Sequence, residues 1–450
     1  MELALRLGGA LTQFWILHGH FSEGLTFMEL ALARSEGVTA SVHVKALEAT
    51  MYLALNQGDF EAAKMLGEEG LVLSRKLGHK SCISSILSSL GFVFMVRGDL
   101  DVAYSLSGEA VLLARELGDK SLIANRLHEM AFVSLERGEY GSACDMYEEC
   151  LVIFRELGDK VGIAASLHQL ALVLFLSLDD QKRVHLLMDE SLSHWKELGS
   201  QNGMAVWSYL AGQVALFEGD VSRARMLLEE CVALYKEVGD RWHTARSLSA
   251  LAKVEAVQGN YALARTLYAE NLELCRKMDY KNIAPVLEGL AYVVIVQGQP
   301  AWAVQLWGAA EKLRETVGAP LPPVENVTYE QSVAAARKHL GDQAFTAAWV
   351  RGRTMTPEQA LAVTENMCLP QLLEVQSSKI PTPYLSPEGL TAREMDVLRL
   401  LAQGLTSVLM AEYLVISLAT INTHVRSIYR KLGVSSRSAA TRYAIDHNLL

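Results

Sequence analysis

The chain lacks the marks of a secreted, membrane-bound or catalytic protein. Its six cysteines (Cys82, Cys144, Cys150, Cys231, Cys275, Cys368) include no C-x-x-C pair, which argues against both a zinc site and a disulfide framework. Scattered thiols of this kind are expected to be buried and reduced. No apolar stretch reaches the roughly 18 residues of a membrane span, and the longest, Leu170 to Leu178, is half that. The N-terminus (Met1-Glu2-Leu3-Ala4-Leu5-Arg6) has no basic region followed by an unbroken apolar core and is a poor signal peptide. A cytoplasmic protein with no membrane partner is therefore expected. G-x-x-x-x-G-K-[ST] is absent, no G-x-G-x-x-G follows a strand pattern, and no convincing strand pattern exists. His128-Glu129 lacks the second histidine of H-E-x-x-H. With no catalytic constellation, no metal site and no cofactor motif, an enzyme is not expected.

What is present is helical. Half of the residues are apolar, enough for a sizeable core, and the net charge is −10. That charge is unevenly placed. Residues 390–450 hold seven Lys/Arg against four Asp/Glu, a balance of +3, and the remaining 34 basic and 47 acidic residues leave −13 before position 390. Positive charge is thus concentrated at one end, where a phosphate backbone would be met.

Before that end, one unit is written eight times. A glycine or its stand-in recurs about every 40 residues: Gly19, Gly58, Gly98, Gly138, Asp179, Gly219, Gly259 and Gly298. A small residue usually follows five positions on (Gly24, Ala63, Ala103, Ala143, Ala224, Ala264, Ala303), and a large apolar one nine positions on (Met28, Tyr147, Met188, Leu228, Tyr268, Trp307). Lys or Arg stands at position seventeen of six consecutive units (Arg75, Arg115, Arg155, Lys196, Lys236, Arg276). A second glycine near position twenty (Gly78, Gly118, Gly158, Gly199, Gly239, Gly318) closes the unit. The first glycine separates two helices, the small residue lets them approach, the basic residue complements the second helix's dipole, and the last glycine caps it.

Paired acids (Glu68-Glu69, Glu148-Glu149, Asp189-Glu190, Glu229-Glu230) share one register and read as a solvated face. His128 and His168, 40 residues apart, belong to the repeat and not to a catalytic pair. Asn326-Val327-Thr328 fits a glycosylation sequon, idle in a cytoplasmic chain. The unit resembles the tetratricopeptide repeat, most directly at Gly138-Glu139-Tyr140-Gly141-Ser142-Ala143, with helices longer than usual. Such a stack forms a superhelix whose concave face suits a protein or small-molecule effector. Its irregularities are the insertion Leu178-Asp179-Asp180, the cap lost to Asp279 before Pro285, and the breaker Ala319-Pro320-Leu321-Pro322-Pro323. Two or three helices after the breaker, one over 331–340 and one over 357–367, are expected to cap the solenoid.

The last stretch divides into four short helices. Thr391 and Glu394 form a capping box, Gly404 ends that helix, and Thr406 opens a second that ends near Tyr413. After Val415-Ile416-Ser417 a third helix carries Thr420 to Leu432, closed by Gly433, and Ser435 or Ser436 opens the fourth. Ile421, Val425 and Ile428 share one face and are expected to pack on Leu398, Leu401, Met410 and Leu414. Two helices joined by a tight turn, the second polar and basic, make a helix-turn-helix.

These residues, through L-T-x-R-E, M-A-E, I-S-x-x-T-I-N-T-H-V and I-Y-R-K-L-G-V-S-S-R, resemble the LuxR-type DNA-binding domain. The resemblance implies a bacterial transcription regulator and double-stranded DNA as partner. It places Asn422, Thr423 and Arg426 toward base edges and Thr420, His424, Arg430 and Lys431 toward the backbone. It makes the fourth helix, through Ala439, Ala440, Tyr443 and Ala444, the contact of a homodimer. Asn suits adenine and Arg suits guanine.

The pattern departs from the family at Val408-Leu409 and Leu418-Ala419, where charged residues are usual, so two phosphate contacts are missing. An alternative is therefore an interaction scaffold whose helix-turn-helix no longer reads DNA. The whole arrangement resembles the C-terminal part of MalT-like regulators, without their nucleotide-binding domain. The expected architecture is all-α: a tetratricopeptide-like α-solenoid (1–318), a helical cap (319–368), a linker (369–389) and a four-helix LuxR-type domain (390–450).

Overall fold

The computed structural model describes residues 1–17, 20–362, 397–398, 400–401, 410, 418–432, 434 and 437–446. Among them there is helix and turn but no strand. Eight helix pairs follow one another: α1 (Glu2–Leu17) with α2 (Phe21–Leu32), α3 (Ala40–Gln57) with α4 (Phe60–Leu77), α5 (Lys80–Val96) with α6 (Leu100–Leu117), α7 (Lys120–Glu136) with α8 (Tyr140–Leu157), α9 (Lys160–Ser177) with α10 (Gln181–Leu198), α11 (Gln201–Phe217) with α12 (Val221–Val238), α13 (Arg241–Val257) with α14 (Tyr261–Lys277), and α15 (Ala284–Val296) with α16 (Pro300–Val317). Three more helices follow: α17 (Pro323–Leu340), α18 (Asp342–Thr354) and α19 (Pro357–Ala362). The expected linker 369–389 lies outside the described residues, as does Gly19.

Each periodic residue does a mechanical job. Ala63, Ala103, Ala143, Ala224, Ala264 and Ala303 are fully buried where the paired helices cross, and Tyr147, Leu228 and Tyr268 are buried behind them. The closing glycines Gly78, Gly118, Gly158, Gly199, Gly239 and Gly318 all take left-handed backbone, with φ between 60° and 77°. The sequence reading missed the caps at the other ends. Asp59, Asp119, Asp159, Asp220 and Asp240 each accept a backbone N–H from two or three residues on, as Ser200 does. Each such cap contributes about 1 kcal/mol.

At the insertion, Leu178 and not Asp179 takes the glycine's place, with φ 59°. Asp180 then caps α10 by accepting the Arg183 N–H at 3.2 Å. At the seventh unit Asp279 itself adopts φ 53°.

The basic residues of position seventeen also do more than face a helix dipole. Arg75 pairs with Glu109 (3.5 Å), Arg115 with Glu149 (2.8 Å), Arg155 with Glu190 (2.6 Å) and Lys236 with Glu270 (2.6 Å), so a ladder of ion pairs runs between successive second helices. The paired acids are therefore partnered as well as solvated. A second ladder, Lys80–Glu116, Lys120–Glu156 and Lys160–Glu197, ties each first helix to the end of the following one.

First helices of neighbouring pairs touch each other (α3 with α5, α5 with α7, α9 with α11, α13 with α15), which puts them on the inner side of the curve. α9 is long and apolar enough on its own to cross a membrane, and most of it is buried in the array, against α8 and α10. Cys82, Cys150, Cys231 and Cys275 are buried and unpaired, and Cys144 is half-buried.

Beyond the array, α17 begins at Pro323, eight residues ahead of the expected start. Its first turn reaches inward to α9 and α13, where Lys253 pairs with Glu325 at 2.6 Å. α18 crosses α16 at close range, because Gly308 and Gly352 let backbone meet backbone: a Cβ on Gly352 would lie 2.1 Å from the Gln305 carbonyl oxygen. The Trp302 indole N–H donates to the Ala360 carbonyl at 3.0 Å and holds α19.

Candidate nucleic-acid interface and the inner face of the array

Near the C-terminus, α20 (Leu418–Leu432) and α21 (Arg437–Asp446) are described. α20 carries apolar residues at 421, 425, 428 and 432, a spacing that puts all four on one side of a helix. Ile421 and Ile428 are fully buried and Leu432 nearly so, packed with Val397, Leu398, Leu400, Leu401 and Met410. The partners expected for Ile421, Val425 and Ile428 are thus in place. Leu414 lies outside the described residues, as do Val408, Leu409, Gly433, Ser435, Ser436 and the helix starts at Thr391 and Thr406. The Val434 N–H donates to the Tyr429 carbonyl (2.9 Å) and turns the chain out of α20.

The expected DNA-facing residues divide by burial. Arg426, Arg430 and Lys431 are exposed, while His424 is half-buried on the flank of the apolar stripe. Thr420, Asn422 and Thr423 belong to α20, but their side chains lie outside the description. Three exposed cations therefore project from a helix whose other side is fixed in a small core. Arg442 on α21 adds a fourth, which the sequence reading counted as charge but gave no role.

The dimer residues need one correction. Ala440 is fully buried in the domain's own core, beside Ile421, Ile428 and Leu432, so it offers nothing to a second copy. Ala439 and Tyr443 are half-buried, and the side chain of Ala444 lies outside the description.

The inner face of the array is the second candidate. The Arg126 guanidinium lies 3.2 Å from Glu129, which also accepts from the Ser88 hydroxyl. Burial raises the Glu48 carboxyl against hydrogen bonds from Ser85 and Cys82 that lower it. Burial also lifts the Cys82 thiol to about 12, with Glu48 adding to it, so that sulfur is no nucleophile at neutral pH. His128 is pushed down to about 4 and His168 to about 3, both chiefly by burial, which keeps them neutral. No group of three or more His, Cys, Asp or Glu is placed to hold a metal ion among the described residues.

With this geometry in hand, residues 388–444 match the luxR family of bacterial regulatory proteins, and residues 244–278 match the tetratricopeptide repeat. The C-terminal segment is a LuxR-type helix-turn-helix domain and the body is a tetratricopeptide-like array. A Mycobacterium tuberculosis protein named as an HTH-type transcriptional regulator is 30% identical over 158 residues, which are 35% of this chain and 17% of that protein. Response regulator protein VraR of Staphylococcus aureus is 35% identical over 86 residues, 19% of this chain and 41% of that one. The matched parts are thus a minor share of each relative. A solved Rap protein, complexed with Competence and Sporulation Factor, superposes with a TM-score of 0.53 at 11% identity over 81% of this chain and 96% of its own, a likeness of fold.

Proposed function

We propose that this protein is a DNA-binding transcription regulator. The observation that carries the reading is α20: one side is locked into a core, and Arg426, Arg430 and Lys431 are exposed, in a segment that matches the LuxR family. In this reading Asn422, Thr423 and Arg426 meet base edges in the major groove, while Thr420, His424, Arg430 and Lys431 grip phosphates. Ala439, Tyr443 and Ala444 form the contact of a dimer bound to an inverted repeat. The array, divided from the rest near residues 318, 368 and 389, receives a protein or small-molecule effector on its inner face.

The test is a gel shift of the full chain against duplexes enriched from a random-sequence pool. Asn422→Ala combined with Arg426→Ala is expected to weaken binding at least about thirtyfold, since each base contact of this kind is worth about 1–3 kcal/mol. Unchanged affinity would overturn the base contacts. Arg430→Ala with Lys431→Ala is expected to weaken all sequences alike and to flatten the salt slope by about 2.

A second reading has its own support in Val408-Leu409 and Leu418-Ala419, apolar where phosphate contacts are expected. There the protein is a scaffold with a helix-turn-helix that does not read DNA. The absence of any enriched duplex, even at low salt, would establish it.

A further inference from the structure

The array is curved tightly enough that its turns meet. Three consecutive inter-helix turns of the early repeats each rest on a bend roughly 180 residues downstream. A Cβ placed on Gly58 would lie 3.2 Å from Arg241 Cβ and 3.1 Å from Met278 Sδ; on Gly98, 3.3 Å from Lys281 Cβ and 3.1 Å from Val317 Cγ2; on Gly138, 2.3 Å from Pro320 Cγ. At a repeat of about 40 residues, this constant offset means that the superhelix completes a turn in about four and a half units.

The contact is also bonded. The Lys281 N–H donates to the Val96 carbonyl at 3.2 Å, and Arg246 of α13 donates to the Glu136 carboxylate of α7 at 2.9 Å. Trp242 sits edge-on against both Phe92 and Phe132, with ring centroids 5.7 and 5.8 Å away.

Two irregularities of the sequence fall on this line. The connection around Asp279, which has lost its glycine cap, brings Lys281 and Met278 to the first turn. The proline-rich breaker after Val317 sets Pro320 on Gly138, where Arg314 holds the Ala319 and Pro320 carbonyls at 3.2 and 3.1 Å. Both breaks in the period are therefore the places where the superhelix touches itself.

We propose that this seam is the moving joint of the array: the superhelix opens by parting the repeats of Gly58, Gly98 and Gly138 from the bends at Met278–Lys281 and Val317–Pro320, with every helix intact. Three observations favour motion over a fixed weld. A solenoid's curvature is a small rotation repeated at each unit, so the seam parts without any helix unfolding. The contacts are turn tips, one backbone hydrogen bond and a few side chains, a type of contact that opens before helices do. The Trp242 indole N–H is buried at 6% exposure with no hydrogen-bond partner, so the closed form withholds a donor from water that opening restores. The inference does not depend on which effector the array receives.

Hydrogen exchange of the full chain, read by mass spectrometry, tests it. The peptide carrying residues 279–283 is expected to exchange at least a hundredfold faster than the middle of α5 and α13, below any denaturing condition. Exchange of that peptide only at the rate of those helices would overturn the joint. The pair Glu136→Gln with Arg246→Met removes the seam's ion pair. It is expected to speed the 279–283 peptide a further tenfold or more and to enlarge the radius of gyration in solution scattering, at unchanged helical circular dichroism. An unchanged radius and exchange rate, or equal acceleration in α5 and α13, would also overturn it.

Discussion

The early repeats and the late repeats use the same code of glycine, small residue and capping acid, but they handle charge in opposite ways. From α4 to α10 the charged groups lie outside, in ladders whose members are about half exposed, such as Arg115–Glu149. From α13 onward they are drawn inward. Arg246–Glu136 and Lys253–Glu325 are largely shielded, and Arg314–Glu288 is left only 11% and 10% exposed. Regular repeats propagate the array; the irregular ones close it, and closure puts charge out of water.

The sharpest way to break this comparison is at the most buried pair. Arg314 donates to both Glu288 carboxylate oxygens, at 2.6 and 2.8 Å, and also caps the breaker carbonyls. Burial raises the Glu288 carboxyl even against that partner. Arg314→Ala strands the carboxyl and two carbonyls, and is expected to destabilise the chain by about 3–5 kcal/mol, read from the urea midpoint. A loss below about 1 kcal/mol would place this pair with the ladders.

Protonation probes the interior between these regions. His128 packs edge-on against Tyr147, with centroids 5.1 Å apart, and His168 is 4% exposed, with charge repulsion from His243 and His128 adding to its burial. Folded values of about 4 and about 3 lie below the unfolded value near 6.5, so the unfolded chain binds protons first as pH falls. Their contribution is complete above pH 6.5 and is lost progressively as pH drops toward 4 for His128 and toward 3 for His168. At pH 5 each histidine is expected to have withdrawn about 2 kcal/mol. Urea titrations at pH 7 and pH 5 measure the drop, and His168→Gln should shrink it. An equal drop in that variant would show that other groups carry the acid sensitivity.

Glycines of the same register give a paired test. Gly138 and Gly259 have φ of 75° and 86°, but only Gly138 is crowded, by Pro320. Alanine at either costs about 1–2 kcal/mol for its left-handed backbone. Gly138→Ala is expected to cost about 1 kcal/mol more, because Pro320 must move. Equal melting temperatures for the two variants would deny the contact.

Much of this architecture is visible in the residues, for a physical reason. A unit that cannot bury its face alone must repeat its small and large residues in fixed register, so Ala143 and Tyr147 announce their neighbours. The ladders hide better, since Arg75 and Glu109 are 34 residues apart in a 40-residue period and show no local pattern. The seam is hidden most deeply. Asp279 and the prolines after Val317 stand out as breaks in the repeat, but nothing local reveals that they face Gly98 and Gly138. In the C-terminal domain the apolar face of α20 is plain from its spacing. Ala440 is not, because alanine suits a core and a surface equally, and its burial had to be seen.

The ladders themselves set the lower bound of the comparison. Arg155 reaches Glu190 at 2.6 Å, with both side chains about half exposed, so water and salt screen most of the attraction. Arg155→Ala is expected to cost about 0.2–1 kcal/mol at low salt and less in molar salt. Its neighbours in the ladder are paired in the same way but share no atoms with it, so loss of Arg115 and Arg155 together should add within about 0.5 kcal/mol. Strong non-additivity would mean that the ladder acts as one network. The early repeats would then resist opening as a block, and the contrast with the late repeats would lie in how their charges are coupled more than in how deeply they are buried.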